Sequence, residues 1–315
     1  MIRSNTIASA ACLVTIALLF AQPATAAAPR FFFAGNGRLI LRHAYFDNTL
    51  DVRYRRADGT YAPEALAQIE HFFRSREDGR EAPVSLRLIE LLGFIQGRYR
   101  PRQMILLSGY RSPEFNSDLR SAGRAAAQAS LHTEAMAADV LFKGLDMSRL
   151  WRQLRKLSVG GVGYYRQNRF LHIDTGLPRF WEASTSRVSE NLSAGNARIF
   201  LRTDFDRYAG LKGTICSLHS VTAFPLRIHP HATLVGPGGW ATLTIEPVSD
   251  TIGKAEGCFV INGPAERYEF RVVNADEGNG TVAGYSRSRI MLSTCPPREA
   301  KTPAEIASNP IEVAR

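Results

Sequence analysis

The sequence predicts an α+β domain followed by a separate small all-β domain. Residues 30–183 alternate between helical and strand-like hydrophobic spacing, which is typical of mixed helix and strand structure. Residues 184–197 are rich in Ser, Asn and Gly, a composition that indicates a linker. Residues 198–296 contain short β-type runs separated by Gly, Pro and Asn clusters. The chain of 315 residues is 45% hydrophobic and 22% charged, as expected for a globular protein that buries a sizeable core.

Residues 1–26 have the pattern of a secretory signal peptide. Arg3 supplies a positive start, residues 7–21 form an apolar run, and Ala24-Thr25-Ala26 is a small-x-small cleavage site. Cleavage after Ala28 is the alternative. The apolar run is shorter than the roughly 20 residues that a membrane-spanning helix needs. We therefore expect an exported protein with no transmembrane anchor after cleavage.

Cleavage leaves a basic chain with three cysteines. Loss of Arg3 lowers the formal net charge from +10 to +9, and this excess suits an acidic polymer such as cell wall. The charges are scattered and no nucleic-acid motif is present, so we expect no nucleic-acid partner. Cys216, Cys258 and Cys295 allow one internal disulfide and leave one thiol, with the pairing open.

The elements of the first domain follow from hydrophobic spacing and from prolines at helix starts. Apolar residues at helical spacing predict helices that begin near Pro63 and just after Pro83, and short apolar runs predict strands. The predicted elements are a strand at 38–42, helices at 63–76 and 85–96, a strand at 104–107, a helix at 147–157, and a hairpin of 160–165 with 170–173.

The second domain is predicted to contain strands alone, followed by a flexible tail. Residues 297–315 are polar and contain prolines, so we expect them to be flexible. The predicted strands lie within 214–224, 241–245, 258–261, 268–273 and 290–293. This all-β module, residues 198–296, is most simply an appendage that binds the cell wall or a protein partner.

His132, Asp139 and His172 form a candidate metal-ligand set. Two imidazoles and a carboxylate bind Zn²⁺ and leave a fourth position for water, as in catalytic zinc sites. Zinc lowers the pKa of that water to about 7 and polarises a carbonyl, which is the chemistry of amide hydrolysis. The chain has seven His, so spacing alone also allows a coincidental grouping without metal.

Five motifs in sequence order resemble the murein endopeptidase K family, which comprises zinc peptidases of the bacterial periplasm. The resemblance extends from about residue 38 to 181. The motifs are Ser108-Gly109-Tyr110-Arg111-Ser112-Pro113, Ser130-Leu131-His132 with Asp139, Gly160-Gly161-Val162-Gly163-Tyr164-Tyr165, His172-Ile173-Asp174-Thr175-Gly176, and Arg179 with Trp181. The resemblance implies a small α+β fold with an antiparallel sheet, shared with D-Ala-D-Ala carboxypeptidases and the hedgehog signalling domain.

The resemblance also implies an activity and residue roles. Family members cleave the peptide cross-links of peptidoglycan by metal-activated water, with peptidoglycan peptide stems as substrate. Arg111 is expected to bind a substrate carboxylate or the developing oxyanion. Asp174 is expected either to activate the water or to orient a zinc-bound histidine. Tyr165 is expected to line the substrate groove. The implied zinc ligands are His132, Asp139 and His172.

Two other functions remain open at this stage. One is a D-Ala-D-Ala-type carboxypeptidase that trims a terminal D-Ala, and the other is a non-catalytic zinc-containing protein that binds the cell wall. One departure from the family also bears on the site, because Ala135 stands where family members usually carry Gly. If that position needs a positive φ, Ala strains the loop.

Overall fold

The computed structural model describes residues 30–122, 129–185, 194–237, 239–265, 267–276, 287–299 and 301–314. The predicted signal peptide and most of the predicted linker lie outside these ranges. Within them, no helix is long and apolar enough to cross a membrane. The described chain forms an N-terminal domain (residues 30–185) and a C-terminal domain (residues 194–314), each with its own hydrophobic core.

The N-terminal domain is a seven-stranded sheet with helices packed against it. Its strands are β1 (Arg38–His43), β2 (Thr49–Arg53), β3 (Gln103–Ser108), β4 (Ala137–Lys143), β5 (Gly161–Tyr165), β6 (Phe170–Asp174) and β7 (Arg179–Glu182). Its helices are α1 (Pro63–Phe72), α2 (Leu86–Tyr99), α3 (Pro113–Ser121) and α4 (Met147–Leu157). The strand order is β2-β1-β3-β4-β6-β5-β7, which places β4 and β6 side by side in the interior of the sheet.

The α+β class is confirmed, but the sheet is mixed rather than antiparallel throughout. Strands β1 and β3 pair in parallel, and so do β5 and β7. The chain leaves β1 through β2, α1 and α2 before it returns as β3, and a long helical crossover of this kind brings a strand back in parallel. The other neighbours in this sheet are antiparallel.

The predicted helices and the hairpin are present, with small shifts at their ends. Helix α4 has the predicted bounds, and the side chain of Asp146 caps its first turn by accepting from the Arg149 N–H. Strand β4 is absent from the sequence predictions. Nearly all of its residues are buried, because β3 and β6 flank it and the sheet faces are covered, so it lacks alternation of polar and apolar residues.

The C-terminal domain contains a large antiparallel sheet and a small two-stranded parallel sheet, in agreement with the all-β prediction. Its principal sheet has the order β13-β14-β11-β12-β15-β10-β8, with β16 and β17 attached through β11. The strands are β8 (Phe200–Thr203), β9 (Arg207–Tyr208), β10 (Ile215–His219), β11 (Leu226–Gly236), β12 (Gly239–Pro247), β13 (Ile252–Ala255), β14 (Cys258–Ile261), β15 (Tyr268–Asp276), β16 (Arg289–Thr294), β17 (Glu305–Ala307) and β18 (Glu312–Val313).

The prediction of a flexible tail at 297–315 is wrong for most of that segment. Strand β17 pairs with β16, and β18 pairs with β9. Ile306, Ile311 and Val313 are buried in the core of the C-terminal domain. These three apolar residues anchor an otherwise polar segment, and its prolines are compatible with short strands at a sheet edge. The domain therefore continues to residue 314 rather than ending at 296.

The cysteine pairing that the sequence left open is resolved. Cys258 and Cys295 form a disulfide that joins the start of β14 to the end of β16, and Cys216 is a buried free thiol. A disulfide is consistent with export to an oxidising compartment. His229 lies beside the two bonded sulfurs, but a disulfide offers no thiolate to a metal ion.

Candidate metal centre

The three predicted ligands converge in the interior of the N-terminal domain. Asp139 on β4 and His172 on β6 are directly paired residues of neighbouring antiparallel strands. Paired residues project their side chains to the same face of a sheet, so this register places carboxylate and imidazole together. His132 reaches them from the turn before β4. This turn is held by hydrogen bonds from Met136 N–H to Leu131 O and from Arg111 N–H to His132 O.

The ligand atoms have the spacing of a tetrahedral metal site. The Nδ1 atom of His172 is 2.9 Å from Asp139 Oδ1 and 3.2 Å from His132 Nε2, and His132 Nε2 is 3.4 Å from Asp139 Oδ1. Ligand atoms about 2.0–2.1 Å from a tetrahedral zinc ion lie roughly 3.3 Å apart. The observed triangle therefore fits a single ion.

Each imidazole is oriented by a hydrogen bond on the nitrogen that faces away from the triangle. His132 Nδ1 donates to the carbonyl of Gly109 at 2.7 Å, and His172 Nε2 donates to Asp174 Oδ2 at 2.9 Å. These bonds place the ring protons on the outer nitrogens, so the inner nitrogens present lone pairs. Lone pairs that face one another beside a carboxylate repel, and either a proton on His172 Nδ1 or a bound metal ion removes that repulsion.

Electrostatics favours the metal-binding protonation states of His132 and Asp139. Burial, together with the Arg111 guanidinium, lowers the pKa of His132 to about 4, so this ring is neutral at pH 7. Burial alone would raise the pKa of Asp139, but His132, His172 and Arg111 together hold it well below its ordinary value. The centre therefore offers a neutral imidazole and an ionised carboxylate at physiological pH. At His172, burial alone would lower the pKa, but the Asp139 and Asp174 carboxylates outweigh burial and raise it, so a metal ion must displace a proton there.

Arg111 lies at the edge of the triangle and holds the second oxygen of the aspartate ligand. Its Nη2 donates to Asp139 Oδ2 at 2.8 Å, and its Nε donates to Ser108 Oγ at 2.9 Å. The side chain is 13% exposed, and it also lines a groove that runs beside the triangle. Arg111 therefore holds Asp139 and forms part of the groove wall.

Asp174 is fully buried, and both its carboxylate oxygens are engaged. Oδ1 accepts the backbone N–H groups of Gly161 and Gly176, at 3.1 and 2.8 Å. Oδ2 accepts from His172 Nε2 and from Arg179 Nη2, the latter at 2.7 Å. Burial opposes ionisation, but Arg179, His172 and the backbone donors outweigh it, and the pKa of Asp174 falls below its ordinary range. Between the two roles left open by the sequence, this environment favours orientation of His172.

Two aromatic side chains complete the wall beside His172. Tyr165 is half-buried and stacks on Phe170, with ring centroids 4.5 Å apart. Trp181 lies 5.3 Å from the His172 ring, over Gly163, where any larger side chain would collide with the indole. The sequence assigned no role to Trp181 or Arg179, although both belong to the motifs quoted above.

The loop that carries His132 contains a strained residue. Ala135 has φ of +50°, in the left-handed region that favours glycine. Its N–H donates to the His132 carbonyl, and its own carbonyl accepts from the Ser85 N–H. The departure from the family pattern at this position is therefore a real cost in backbone energy, of about 1 kcal/mol.

The C-terminal domain contacts both segments that carry histidine ligands. Phe200 packs in a small buried cluster with Leu131 and Met136, on either side of His132. In the same loop, Glu134 pairs with His219 of β10 and accepts from the Ser220 N–H. The C-terminal domain also contacts the segment after β6, where Arg202 donates to the carbonyls of Thr175 and Gly176.

Residues 34–181 match the family model described as peptidoglycan L,D-endopeptidase MepK. The chain is 37% identical over 122 residues to the peptidoglycan L,D-endopeptidase MepK of Escherichia coli (strain K12), which covers 38% of this chain and 67% of the relative. It is 27% identical over 124 residues to the probable peptidoglycan L,D-endopeptidase MepK of Haemophilus influenzae. This alignment covers 39% of this chain and 67% of the relative. No solved structure matches the chain. The buried His–Asp–His triangle lies within the matched region, and the chain belongs to the MepK peptidoglycan L,D-endopeptidase family of metallo-hydrolases.

Proposed function

We propose that this protein is a zinc-dependent endopeptidase that hydrolyses peptide cross-links of peptidoglycan in the periplasm. The observation that carries the proposal is the buried triangle of His132, Asp139 and His172, at the spacing of a tetrahedral ion. The family match supports the substrate. The disulfide and the predicted signal peptide support the compartment.

The donor set supports zinc as the metal. Two imidazole nitrogens and one carboxylate oxygen are the ligands of catalytic zinc sites, which keep one position for water or substrate. When bound, zinc supplies Lewis-acid catalysis and a water nucleophile that is active near neutral pH. The chain itself holds the ion through His132, Asp139 and His172, and the Gly109 carbonyl and Asp174 fix the two rings.

The proposal gives Arg111, Asp174 and Tyr165 distinct roles. Arg111 binds the substrate carbonyl or a nearby carboxylate. It does so with the guanidinium N–H groups that are not bonded to Asp139 and Ser108. Asp174 positions His172 rather than taking up a proton, because its oxygens are already engaged and its pKa is low. Tyr165 contacts the substrate next to the groove, where its ring stacks on Phe170 of the groove wall.

Metal content and digestion of purified sacculi test the proposal together. We expect about one zinc per wild-type chain and the loss of cross-linked muropeptide dimers from digested sacculi. His172→Ala should lose the metal and lower activity by more than roughly 1,000-fold, since metal catalysis supplies several kcal/mol. His71→Ala is the matched control, because His71 is an exposed histidine of the same domain that bonds Glu81.

The products distinguish this activity from its alternatives. Release of terminal D-Ala from monomeric muropeptides, with dimers left intact, would replace the endopeptidase with a carboxypeptidase. Wild-type protein that contains zinc and binds sacculi without any cleavage would leave a non-catalytic wall-binding protein. Wild-type protein that lacks a tightly bound metal would contradict the metal centre itself.

A further inference from the structure

A groove of about 370 Å³ runs beside the candidate metal centre. It shares Asp139 and Arg111 with the centre, and it is also lined by two further arginines, Arg74 and Arg76. Asp139 is the one carboxylate among its described lining residues, and Arg111 already pairs with it. The groove therefore carries an excess of positive charge next to the site of hydrolysis.

Arg74 is held in place without an acidic partner. Its Cζ lies 4.0 Å from the centroid of the Phe46 ring, and its Nη1 donates to the His71 carbonyl at 2.6 Å. In the described part of the chain, no carboxylate lies within ion-pair distance of this guanidinium. A stacked, half-buried guanidinium that is not neutralised is prepared to bind an anion.

Arg76 is paired only at the surface. Its Nε and Nη2 donate to Glu77 Oε1 at 3.0 and 2.7 Å, and Glu77 is half-exposed and does not line the groove. Surface ion pairs of this kind contribute little free energy, so a ligand can compete for the guanidinium. The Arg76 Cζ lies 4.5 Å from the Tyr45 ring, which keeps the side chain along the groove wall.

His43 adds a neutral donor to the same wall. Its Nδ1 accepts the backbone N–H groups of Tyr45 and Phe46, both at 3.1 Å, so the ring proton lies on Nε2. Burial and the nearby Arg74 and Arg76 lower the pKa of His43 to about 4, so the ring stays neutral at pH 7. The groove thus combines guanidinium groups and an imidazole N–H, all of them donors, with one carboxylate that is already paired.

We propose that this groove is a binding subsite for a free carboxylate of the peptidoglycan stem peptide, held by Arg74 and Arg76 while the scissile amide lies at the metal centre. The inference rests on the proposed function, since it names the part of the substrate that the groove recognises. Guanidinium groups bind carboxylates through paired, charge-assisted hydrogen bonds, and such bonds contribute more than neutral ones. The aromatic rings of Tyr45, Phe115 and Phe170 give the rest of the stem an apolar wall.

The test compares two forms of one substrate, a cross-linked muropeptide dimer with free stem carboxylates and the same dimer with those carboxylates converted to amides. We expect wild-type kcat/KM to be about 10- to 100-fold higher for the free form, because bonds to a charged group are lost in the amide. Arg74→Gln should reduce this preference to within about threefold, mainly through a higher KM. Arg74→Lys should retain part of the preference, because it keeps the charge.

Arg152→Gln is the matched control for charge. Arg152 is exposed on α4, bonds Ser148, and does not line the groove. This variant should keep the full preference for free carboxylates. Equal hydrolysis of both substrates by wild-type protein, or an unchanged preference in Arg74→Gln that melts at the wild-type temperature, would overturn the subsite.

Calorimetric binding separates the failure of the subsite from the failure of the proposed function. Monomeric muropeptides contain no cross-link, so binding to the wild-type protein can be measured without endopeptidase turnover. Tighter binding of the free monomer than of the amidated one, with the difference lost in Arg74→Gln, supports the subsite even if no hydrolysis of dimers is found. Equal binding of the two monomers contradicts the subsite, whether or not the dimers are hydrolysed.

Discussion

The two domains contribute to the metal centre in different ways. The N-terminal domain supplies all three candidate ligands, and residues 34–181 within it match the family. The C-terminal domain supplies none, yet Phe200 packs beside the loop of His132, and Arg202 bonds the segment that follows His172. The candidate ligands therefore come from one domain, whereas the segments that carry the two histidines contact both domains.

Removal of the disulfide should produce the largest difference in stability between the two domains. Cys258→Ser with Cys295→Ser opens a link between residues 37 positions apart, and loop-closure entropy predicts a loss of about 3–4 kcal/mol in the C-terminal domain. Domain-resolved hydrogen exchange should show faster opening there, with zinc content still near one per chain at 25 °C. Cys216→Ala is the control, because it removes the buried thiol and leaves the disulfide intact. Equal destabilisation of both domains would show that they unfold as one unit.

Asp174 gives the next largest expected effect, and that effect stays in the N-terminal domain. Asp174→Asn keeps the shape of the side chain but weakens the hydrogen bond that orients His172, so zinc affinity should fall about 10- to 100-fold. Competition with a chromogenic chelator measures the affinity. Excess zinc should then restore most of the activity, because the residue only positions a ligand. Activity that stays low at saturating zinc would instead make Asp174 the proton acceptor.

Sequence predicted which three residues converge at the candidate metal centre, but it predicted less of what surrounds them. His132, Asp139 and His172 lie in recognisable motifs, but β4, which carries Asp139, is buried nearly throughout and lacks the alternation that reveals a strand. The strands after residue 296 depend on three apolar residues in a polar segment. The hydrogen bond from Arg202 to Thr175 joins the two domains, and a local sequence pattern does not predict a contact between residues so far apart in the chain.

Acid should weaken the N-terminal domain selectively. The folded pKa of His43 is lowered to about 4 from an ordinary value near 6.5, chiefly by burial. Below pH 6.5 the unfolded chain binds a proton at His43 that the folded chain does not bind. The free energy of unfolding therefore falls as the pH drops from 7 to 5, by up to about 2 kcal/mol. In the C-terminal domain, burial raises the pKa of Asp204. The effect on stability has the opposite sign, because the folded chain then binds the proton more tightly and is favoured at low pH.

Urea unfolding of wild type and His43→Asn at pH 7 and pH 5 measures this contribution. The asparagine amide oxygen can accept the two N–H groups that His43 Nδ1 accepts, and it does not titrate. The variant should therefore lose less stability than wild type between the two pH values. Parallel losses in the two proteins would exclude His43 as the source.

Arg202 tests whether the C-terminal domain positions the centre. Arg202→Met removes the bonds to the Thr175 and Gly176 carbonyls while keeping an unbranched side chain. We expect zinc affinity to fall about tenfold, near the lower limit for outer-shell changes. Arg289→Met is the control, because Arg289 bonds Ser308 within the C-terminal domain. If both variants bind zinc as wild type does, the C-terminal domain stabilises the fold without positioning the ligands.

Substitution of Ala135 has the smallest expected effect, and it is the one change in this series that should stabilise the protein. Its φ of +50° is strained for alanine, so Ala135→Gly should raise the free energy of unfolding by about 0.5 kcal/mol, after allowance for the greater freedom of glycine in the unfolded chain. Ala67→Gly, at an exposed position inside α1, should lower it by about 1 kcal/mol. Opposite signs for one substitution within one domain would show that backbone conformation alone decides the outcome. A loss of stability at both positions would mean that contacts of the Ala135 methyl group outweigh the strain, and that the loop tolerates alanine because it packs well.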